Sequence, residues 1–187
     1  MSYLINSGFL DRLFNSMITR MNDLIDTRIK NYETEVTVLK LKLEETEDRL
    51  EAQERRNIIR IFGVPENASE DTDKLVVDLC RNKLNVDLSL NDIDCSHRLK
   101  SKVGEHRPII VKLCRRNVKN LIFRAKTRLK GTKTIIREDL TPKRLQLVKE
   151  AMAKVGNRNV FTSNGNIFIK VNNIQKVNCL NDLKIFT

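Results

Sequence analysis

Positively charged side chains are the most suggestive chemical feature of this sequence. Residues 98–133 contain 13 Lys and Arg side chains and a single acidic one, Glu105. Local carboxylates cannot neutralise such a cluster, and a surface of this kind attracts polyanions. The sequence therefore predicts an electropositive surface in the middle of the chain.

The sequence gives little support for catalysis or for metal binding. A thiol nucleophile would need Cys95 or Cys114 beside a histidine, and no orienting partner or oxyanion loop accompanies either cysteine. Zinc ligation by Cys95, His97, His106 and Cys114 is conceivable, but the spacing C-x-H-x8-H-x7-C matches none of the usual zinc patterns. The chain has neither a P-loop nor a G-x-G-x-x-G segment. We therefore expect no enzyme, no metal and no cofactor, and we expect the four cysteines to be reduced, buried thiols.

The composition narrows the class of protein further. The 187 residues are 40% hydrophobic and 5% aromatic, with a net charge of +11. No window approaches the 18 consecutive apolar residues of a membrane span, so we expect no membrane partner. The apolar fraction is too high for a disordered chain. The N-terminus has no basic segment followed by an apolar core, which predicts an intracellular protein without a secretory signal.

The charge is distributed unevenly along the chain. Residues 1–56 hold 9 basic and 11 acidic side chains, whereas residues 57–139 hold 18 and 11, and residues 140–187 hold 8 and 2. The excess positive charge therefore follows a nearly balanced first third. This division predicts one part that assembles the protein and another that contacts a polyanion.

The nearly balanced segment, residues 1–54, has the pattern of a coiled-coil oligomerisation helix. Apolar residues alternate at steps of four and three, and neither Gly nor Pro interrupts residues 9–56. The alternative is a single amphipathic helix packed on a globular body. The predicted a and d core positions are Ile25, Ile29, Tyr32, Val36, Leu39, Leu43 and Leu50.

One motif in this segment bears on the number of strands. Residues 28–33 fit the pattern R-h-x-x-h-E, with Arg28 at position g and Glu33 at position e. In a parallel trimer, this spacing lets the Arg28 side chain cover the core and reach a glutamate of a neighbouring chain. We therefore predict a parallel homotrimer, with a dimer held by ordinary e/g pairs as the alternative.

The period changes after residue 57 and indicates a domain over residues 55–139. Strands and helices alternate there in the order βαββαβ, which predicts a ferredoxin-like domain of the RNA-recognition type. In the second helix, Val118, Leu121, Ile122, Ala125 and Leu129 are predicted to face inward. The predicted elements cover residues 58–65, 71–84, 92–99, 107–113, 115–129 and 134–137.

The remaining residues, 140–187, predict a small C-terminal domain. Thr141 and Pro142 form a helix cap followed by a first-turn proline, and Gly156 ends the helix after Val155. Asn164-Gly165 is a strong two-residue turn signal between strands at 160–163 and 166–171. The fold class is therefore α+β: a long coiled-coil helix, then the RNA-recognition-type domain, then a helix plus β-hairpin.

Several of these segments resemble a known family. The sequence RRNIIRIFGVPE at 55–66, then His97-Arg98 and RPIIVK at 107–112, resembles the first open-reading-frame proteins of LINE retrotransposons. The segments LTPKR at 140–144 and VFTSNG at 160–165 are similar to the insect and baculovirus few-polyhedra branch of that superfamily. The resemblance implies homotrimers that bind single-stranded nucleic acid, package RNA and act as nucleic-acid chaperones without catalysis.

Strand alternation predicts which side chains contact the nucleic acid. Ile59 and Ile61 should face the core, leaving Arg60 and Phe62 on the open face of the sheet together with Lys112. With a single aromatic side chain there, phosphate contacts fit better than sequence-specific base stacking. The predicted nucleic-acid-binding residues are Arg55, Arg56, Arg60, Phe62, Arg98, Lys112, Arg115, Arg116, Lys119, Arg124, Lys126, Arg128, Lys130, Lys133, Lys143 and Arg144.

The sequence thus predicts a protein that binds single-stranded RNA or DNA with little sequence specificity, assembled by its N-terminal helix. We expect a cytoplasmic ribonucleoprotein that can also enter the nucleus. The alternative is a viral or host structural adaptor of the few-polyhedra kind, which works through protein partners.

Overall fold

The chain folds as an α+β protein, with a long N-terminal helix followed by antiparallel sheets and short helices. The computed structural model describes residues 7–100 and 106–186. The first six residues of the predicted coiled-coil segment, and Glu105, lie outside the described residues. Contacts divide the chain into two units at Glu47 and Asp48.

The N-terminal helix, α1 (Ser7–Glu54), confirms the helical prediction for this segment. Its apolar side chains are exposed, including those at all seven of the predicted core positions that lie between Ile25 and Leu50. Exposed apolar side chains in this number are unfavourable for a helix that stays alone in water. The coiled-coil assembly itself stays a prediction.

In residues 7–100 and 106–186, none of the helices combines the length and the apolarity that crossing a bilayer requires.

A four-stranded antiparallel sheet forms the centre of the second unit. Its spatial order is β2-β3-β1-β4, so the first strand pairs with both the third and the fourth. The predicted strands are confirmed with small shifts at their ends. The strands are β1 (Ile58–Phe62), β2 (Ile93–Arg98), β3 (Ile109–Leu113) and β4 (Ile135–Glu138).

Two helices, α2 (Thr72–Leu79) and α3 (Arg116–Ala125), cover one face of this sheet. The Asp71 carboxylate caps α2 by accepting the backbone N–H groups of Asp73 and Lys74. A π-helical turn, Cys80–Leu84, continues α2, and a 3-10 turn, Lys126–Leu129, continues α3. The covered face contributes fully buried residues from the central strands to the core.

The alternation predicted for the two central strands is confirmed. Ile59 and Ile61 of β1 are fully buried, whereas Arg60 and Phe62 are half-buried on the opposite face. In β3 the odd-numbered residues are buried, and Lys112 is exposed. One face of the sheet is therefore uncovered by the helices, and we call it the open face.

Gly63, which follows β1, has a backbone conformation that a side chain would disturb. Its φ of +72° lies in the left-handed region, and a Cβ atom there would collide with the carbonyl oxygen of Lys133. We expect Gly63→Ala to destabilise the fold by at least about 2 kcal/mol, measured by urea denaturation. Gly131→Ala is the matched control because it also has a positive φ but meets no atom nearby. Equal losses for the two variants would contradict the predicted collision.

The C-terminal segment forms a helix packed on a second sheet. Helix α4 (Pro142–Val155) begins after the Thr141 cap and ends at Gly156, as predicted. It covers one face of a sheet of three antiparallel strands, β5 (Val160–Ser163), β6 (Asn166–Lys170) and β7 (Ile174–Val177). This hydrophobic cluster is separate from that of the first sheet.

The predicted helix plus hairpin is thus incomplete. Strand β7 and the 3-10 helix Leu180–Phe186 were not predicted. The four residues of β7, IQKV, include two polar ones and form an edge strand, so their pattern is too short to stand out. Residues 174–177 form a strand because they pair with β6, and their own sequence pattern does not indicate it.

The prediction of buried cysteines is right only for Cys80. Burial raises the pKa of the Cys80 thiol to about 12, which makes it unreactive at neutral pH. Cys95, Cys114 and Cys179 are exposed, because strand alternation or an adjacent turn places each at the surface. Among the described residues, no three His, Cys, Asp or Glu side chains come together in a way that could hold a metal ion.

Candidate nucleic-acid interface

The polar side chains of the two central strands, β1 and β3, lie on the open face of the first sheet. Register places Arg60 of β1 between Ile110 of β3 and Arg137 of β4. Lys112 lies opposite Ile58 on the same face, so the predicted sharing of this face by Arg60 and Lys112 is confirmed. Helices α2 and α3 pack on the opposite face, and among residues 7–100 and 106–186 no other helix covers these side chains, which are partly or largely exposed.

Arg137 belongs to this face, although the sequence analysis did not single it out. Its guanidinium lies over the ring of Phe62, 5.5 Å from the ring centre. This distance is within the range of a cation–π interaction. Alternation along the short strand at 134–137 was the signal that could have found Arg137.

Arg60 is held by a carboxylate that is almost completely buried. The Asp139 side chain is 2% exposed and accepts from Arg60 at 2.5 Å and from Arg55 at 2.7 Å. Partial burial lowers the pKa of Arg55, but the attraction of Asp139 and of Glu51 outweighs it and raises that pKa overall. Asp139 therefore fixes the two guanidiniums at the edge of the open face, where both remain partly exposed.

Lys112 is oriented by a neighbouring strand. Its ammonium group lies 2.6 Å from a carboxylate oxygen of Asp94, and this hydrogen bond raises the pKa of Lys112. Both side chains are about half exposed, so the pair contributes little to stability. The ammonium remains accessible to a phosphate.

The prediction that Lys119 contacts nucleic acid is wrong. Its side chain is 1% exposed and forms an ion pair with the equally buried Glu138 of β4. Leu121, predicted to face inward, is 55% exposed instead. The side of α3 that faces the sheet therefore differs from the one predicted: it includes Lys119 and excludes Leu121.

Arg98 is also unavailable to a ligand. It donates to both carboxylate oxygens of Glu70 and to the backbone carbonyls of Val64, Pro65 and Arg107, and its side chain is 4% exposed. These bonds join β2 to the loop after β1. Arg98 is a structural residue, because its donors are already satisfied within the fold.

Arg144 likewise makes internal contacts rather than an open cationic surface. Its Nε donates to Asp48 at 2.9 Å and its Nη1 to the Gly165 carbonyl at 2.8 Å. Asp48 also accepts the Thr141 hydroxyl, whose oxygen caps α4 by accepting the backbone N–H of Arg144. Arg144 thereby connects the end of α1 to α4 and to the β5–β6 turn.

Three further predicted residues have partners within the fold. Arg115 pairs with Asp92, Arg128 donates to the Leu84 carbonyl, and Lys126 lies 3.5 Å from the centre of the Phe123 ring. Desolvation lowers the pKa of Lys126. Arg115 remains mostly exposed, so its pairing with Asp92 does not remove it from the surface.

The remaining predicted cations have no ion-pair partner within residues 7–100 and 106–186. The fold distributes them over different surfaces. Because α3 packs on the covered face of the sheet, the outer side of α3, with Arg116 and Arg124, points away from the open face. These unpaired residues are Arg56, Arg116, Arg124, Lys130, Lys133 and Lys143.

Comparisons with known proteins assign no family to this chain. No protein-family model matches the sequence, and a comparison with curated proteins gave no match either. The functional interpretation therefore depends on the geometry of the open face and on the charge of the chain.

Proposed function

We propose that this protein binds single-stranded nucleic acid with little sequence specificity and self-associates through its N-terminal helix. The observation that carries the proposal is the open face, where Arg60, Phe62, Lys112 and Arg137 lie together on an uncovered sheet. The large positive charge of residues 57–187 supplies the long-range attraction for a polyanion.

We further propose a ferredoxin-like, RNA-recognition-type arrangement for residues 55–139. The strand order β2-β3-β1-β4 and the placement of both helices on one face support it. Modules of this type bind single strands on their uncovered sheet. Here Arg60 and Arg137 flank the single aromatic ring of the β1 face, which favours phosphate contacts and guanidinium–base stacking over base-specific recognition.

Self-association is proposed from the exposed apolar side chains of α1. A parallel homotrimer would bury them in a coiled coil and place several cationic bodies on one assembly. Several weak phosphate-binding surfaces on one assembly bind a long strand far more tightly than one surface does. This arrangement suits RNA packaging and chaperoning in a cytoplasmic ribonucleoprotein, the roles that the resemblance to LINE proteins implies.

The variant Arg137→Ala tests directly whether the open face binds the nucleic acid. Removing one phosphate-binding guanidinium should weaken binding to all single-stranded sequences alike and reduce the slope of log affinity against log salt by about 0.7–1 per site. Fluorescence anisotropy with labelled oligonucleotides at several salt concentrations measures both quantities. The guanidinium is exposed and has no carboxylate partner among the described residues, so the fold should be unaffected.

The matched control is Arg124→Ala, which removes the same charge from the outer side of α3. We expect the slope for this variant to stay within about 0.2 of the unmodified protein, because α3 lies on the other side of the sheet. A larger change for Arg124→Ala than for Arg137→Ala would place the interface on the helices and contradict the proposal.

The exposed apolar positions of α1 also favour the second candidate, a structural adaptor that binds a helix of another protein. The absorbance ratio of protein purified from a cell lysate distinguishes the two functions. A nucleic-acid-binding protein should retain RNA until high salt, whereas an adaptor should be free of RNA at low salt.

A further inference from the structure

We propose that the uncovered face of the second sheet, β5-β6-β7, is a platform on which bases of the bound single strand stack. This inference rests on the proposed function and adds to it a second contact surface, on which aromatic rings contact the bases. The inference depends on Phe161 and Phe168, two residues that the sequence pattern alone does not mark as functional.

Register places these two rings side by side on one face of the sheet. Phe161 of β5 lies directly opposite Phe168 of β6, and Phe168 lies opposite Lys176 of β7. The intervening residues, such as Ile167 and Ile169, are buried against α4. The two phenylalanines therefore occupy the face that α4 leaves uncovered.

The rings are arranged as a stack that a base can extend. Their centroids are 5.4 Å apart and their planes differ by 15°. Strand β5 is an edge strand of this sheet, so Phe168 is its cross-strand neighbour on one side and no strand of the sheet pairs with β5 on the other. The Phe161 side chain is 40% exposed. Nucleobases stack on such aromatic faces without regard to sequence, because every base has a π face.

The side chains around the rings are positively charged, which favours binding of a polyanion. Lys170 and Lys176 lie on the same face, and neither has an ion-pair partner within the described residues. The three strands contain no acidic residue. An exposed pair of aromatic rings with adjacent ammonium groups is the combination that holds both the bases and the phosphates of a single strand.

The test compares a single-stranded oligonucleotide with an abasic one of equal length and charge. We expect the full-length protein to prefer the base-bearing strand by about tenfold, because only that strand can stack. The Phe161→Leu/Phe168→Leu variant keeps two apolar side chains but loses both rings. Its preference should fall to about twofold while its salt slope stays unchanged.

Two control variants separate stacking from other effects. Phe161→Tyr/Phe168→Tyr retains the rings and should keep the tenfold preference, and Ile174→Ala removes an exposed aliphatic group from β7 and should also keep it. If the leucine variant keeps the preference, the platform is excluded. If the leucine variant keeps the preference but loses self-association, the face is a contact between copies of the chain instead.

The remaining outcomes distinguish this inference from the proposed function. Equal binding of base-bearing and abasic strands by the unmodified protein would overturn the platform and leave phosphate binding intact. Failure to bind either strand in dilute buffer would overturn both.

Discussion

Lys119→Ala is expected to lower the free energy of unfolding by about 3–5 kcal/mol, because it leaves the Glu138 carboxylate buried without a counter-charge. Glu138 also accepts the backbone N–H of Gly165, so the damage should extend to the turn between β5 and β6. Urea denaturation followed by circular dichroism measures the loss. The effect should be on stability rather than on nucleic-acid affinity, since Lys119 does not reach solvent.

A double variant distinguishes the charge effect from lost packing. Lys119→Met/Glu138→Gln removes both charges, and the glutamine oxygen can still accept from Gly165. Its stability should lie within about 1.5 kcal/mol of the unmodified protein, since a buried ion pair often gains little over neutral side chains of similar volume. Lys130→Ala, at an exposed position, should have no measurable effect. A Lys119→Ala variant as stable as Lys130→Ala would show that the ion pair does not form.

The largest effect on binding is expected from Ile29→Asp/Val36→Asp, which places two carboxylates at successive a positions of the predicted coiled coil. Charges at these positions would be buried between helices, so the assembly should dissociate to the 21.7 kDa monomer. Affinity for a long single strand should fall by about a hundredfold or more, because the linked binding surfaces are lost. Light scattering measures the mass, and a filter-binding titration measures the affinity.

The matched control introduces the same two charges on the outer side of the helix. Thr34 and Thr37 occupy outer positions of the predicted heptads, where each hydroxyl donates to the carbonyl four residues earlier. Thr34→Asp/Thr37→Asp should leave both the mass and the affinity nearly unchanged. If the unmodified protein is already a monomer, or if the control dissociates equally, the assignment of the heptads is contradicted.

Most elements of the second unit could be predicted because each of those has a local signal in the sequence. Alternation in β1 and β3 indicates which side chains are buried, and the Thr141-Pro142 and Gly156 signals mark both ends of α4. Strand β7 has no comparable signal, since its pairing partner decides its structure. The periodicity of apolar residues therefore predicts an element reliably when one of its faces is consistently apolar.

The functional side chains could be predicted only in part, since ion pairing depends on residues distant in the sequence. Arg60 and Lys112 were placed correctly by alternation. Lys119 and Arg98 could not be distinguished from surface cations, because their partners Glu138 and Glu70 are 19 and 28 residues away. A cluster of charges in a sequence predicts an electropositive region, but the fold decides which of its members remain free.

Binding of single-stranded nucleic acid can be measured by titrating the full-length protein with a single-stranded and a duplex oligonucleotide of equal length across a range of salt concentrations. We expect tighter binding of the single strand, with log affinity falling by about 4–6 per unit of log salt if ~6–8 phosphates are contacted in each surface. Little difference among single-stranded sequences is expected. No binding in dilute buffer, or a preference for the duplex, would show that the protein is not a single-strand-binding protein.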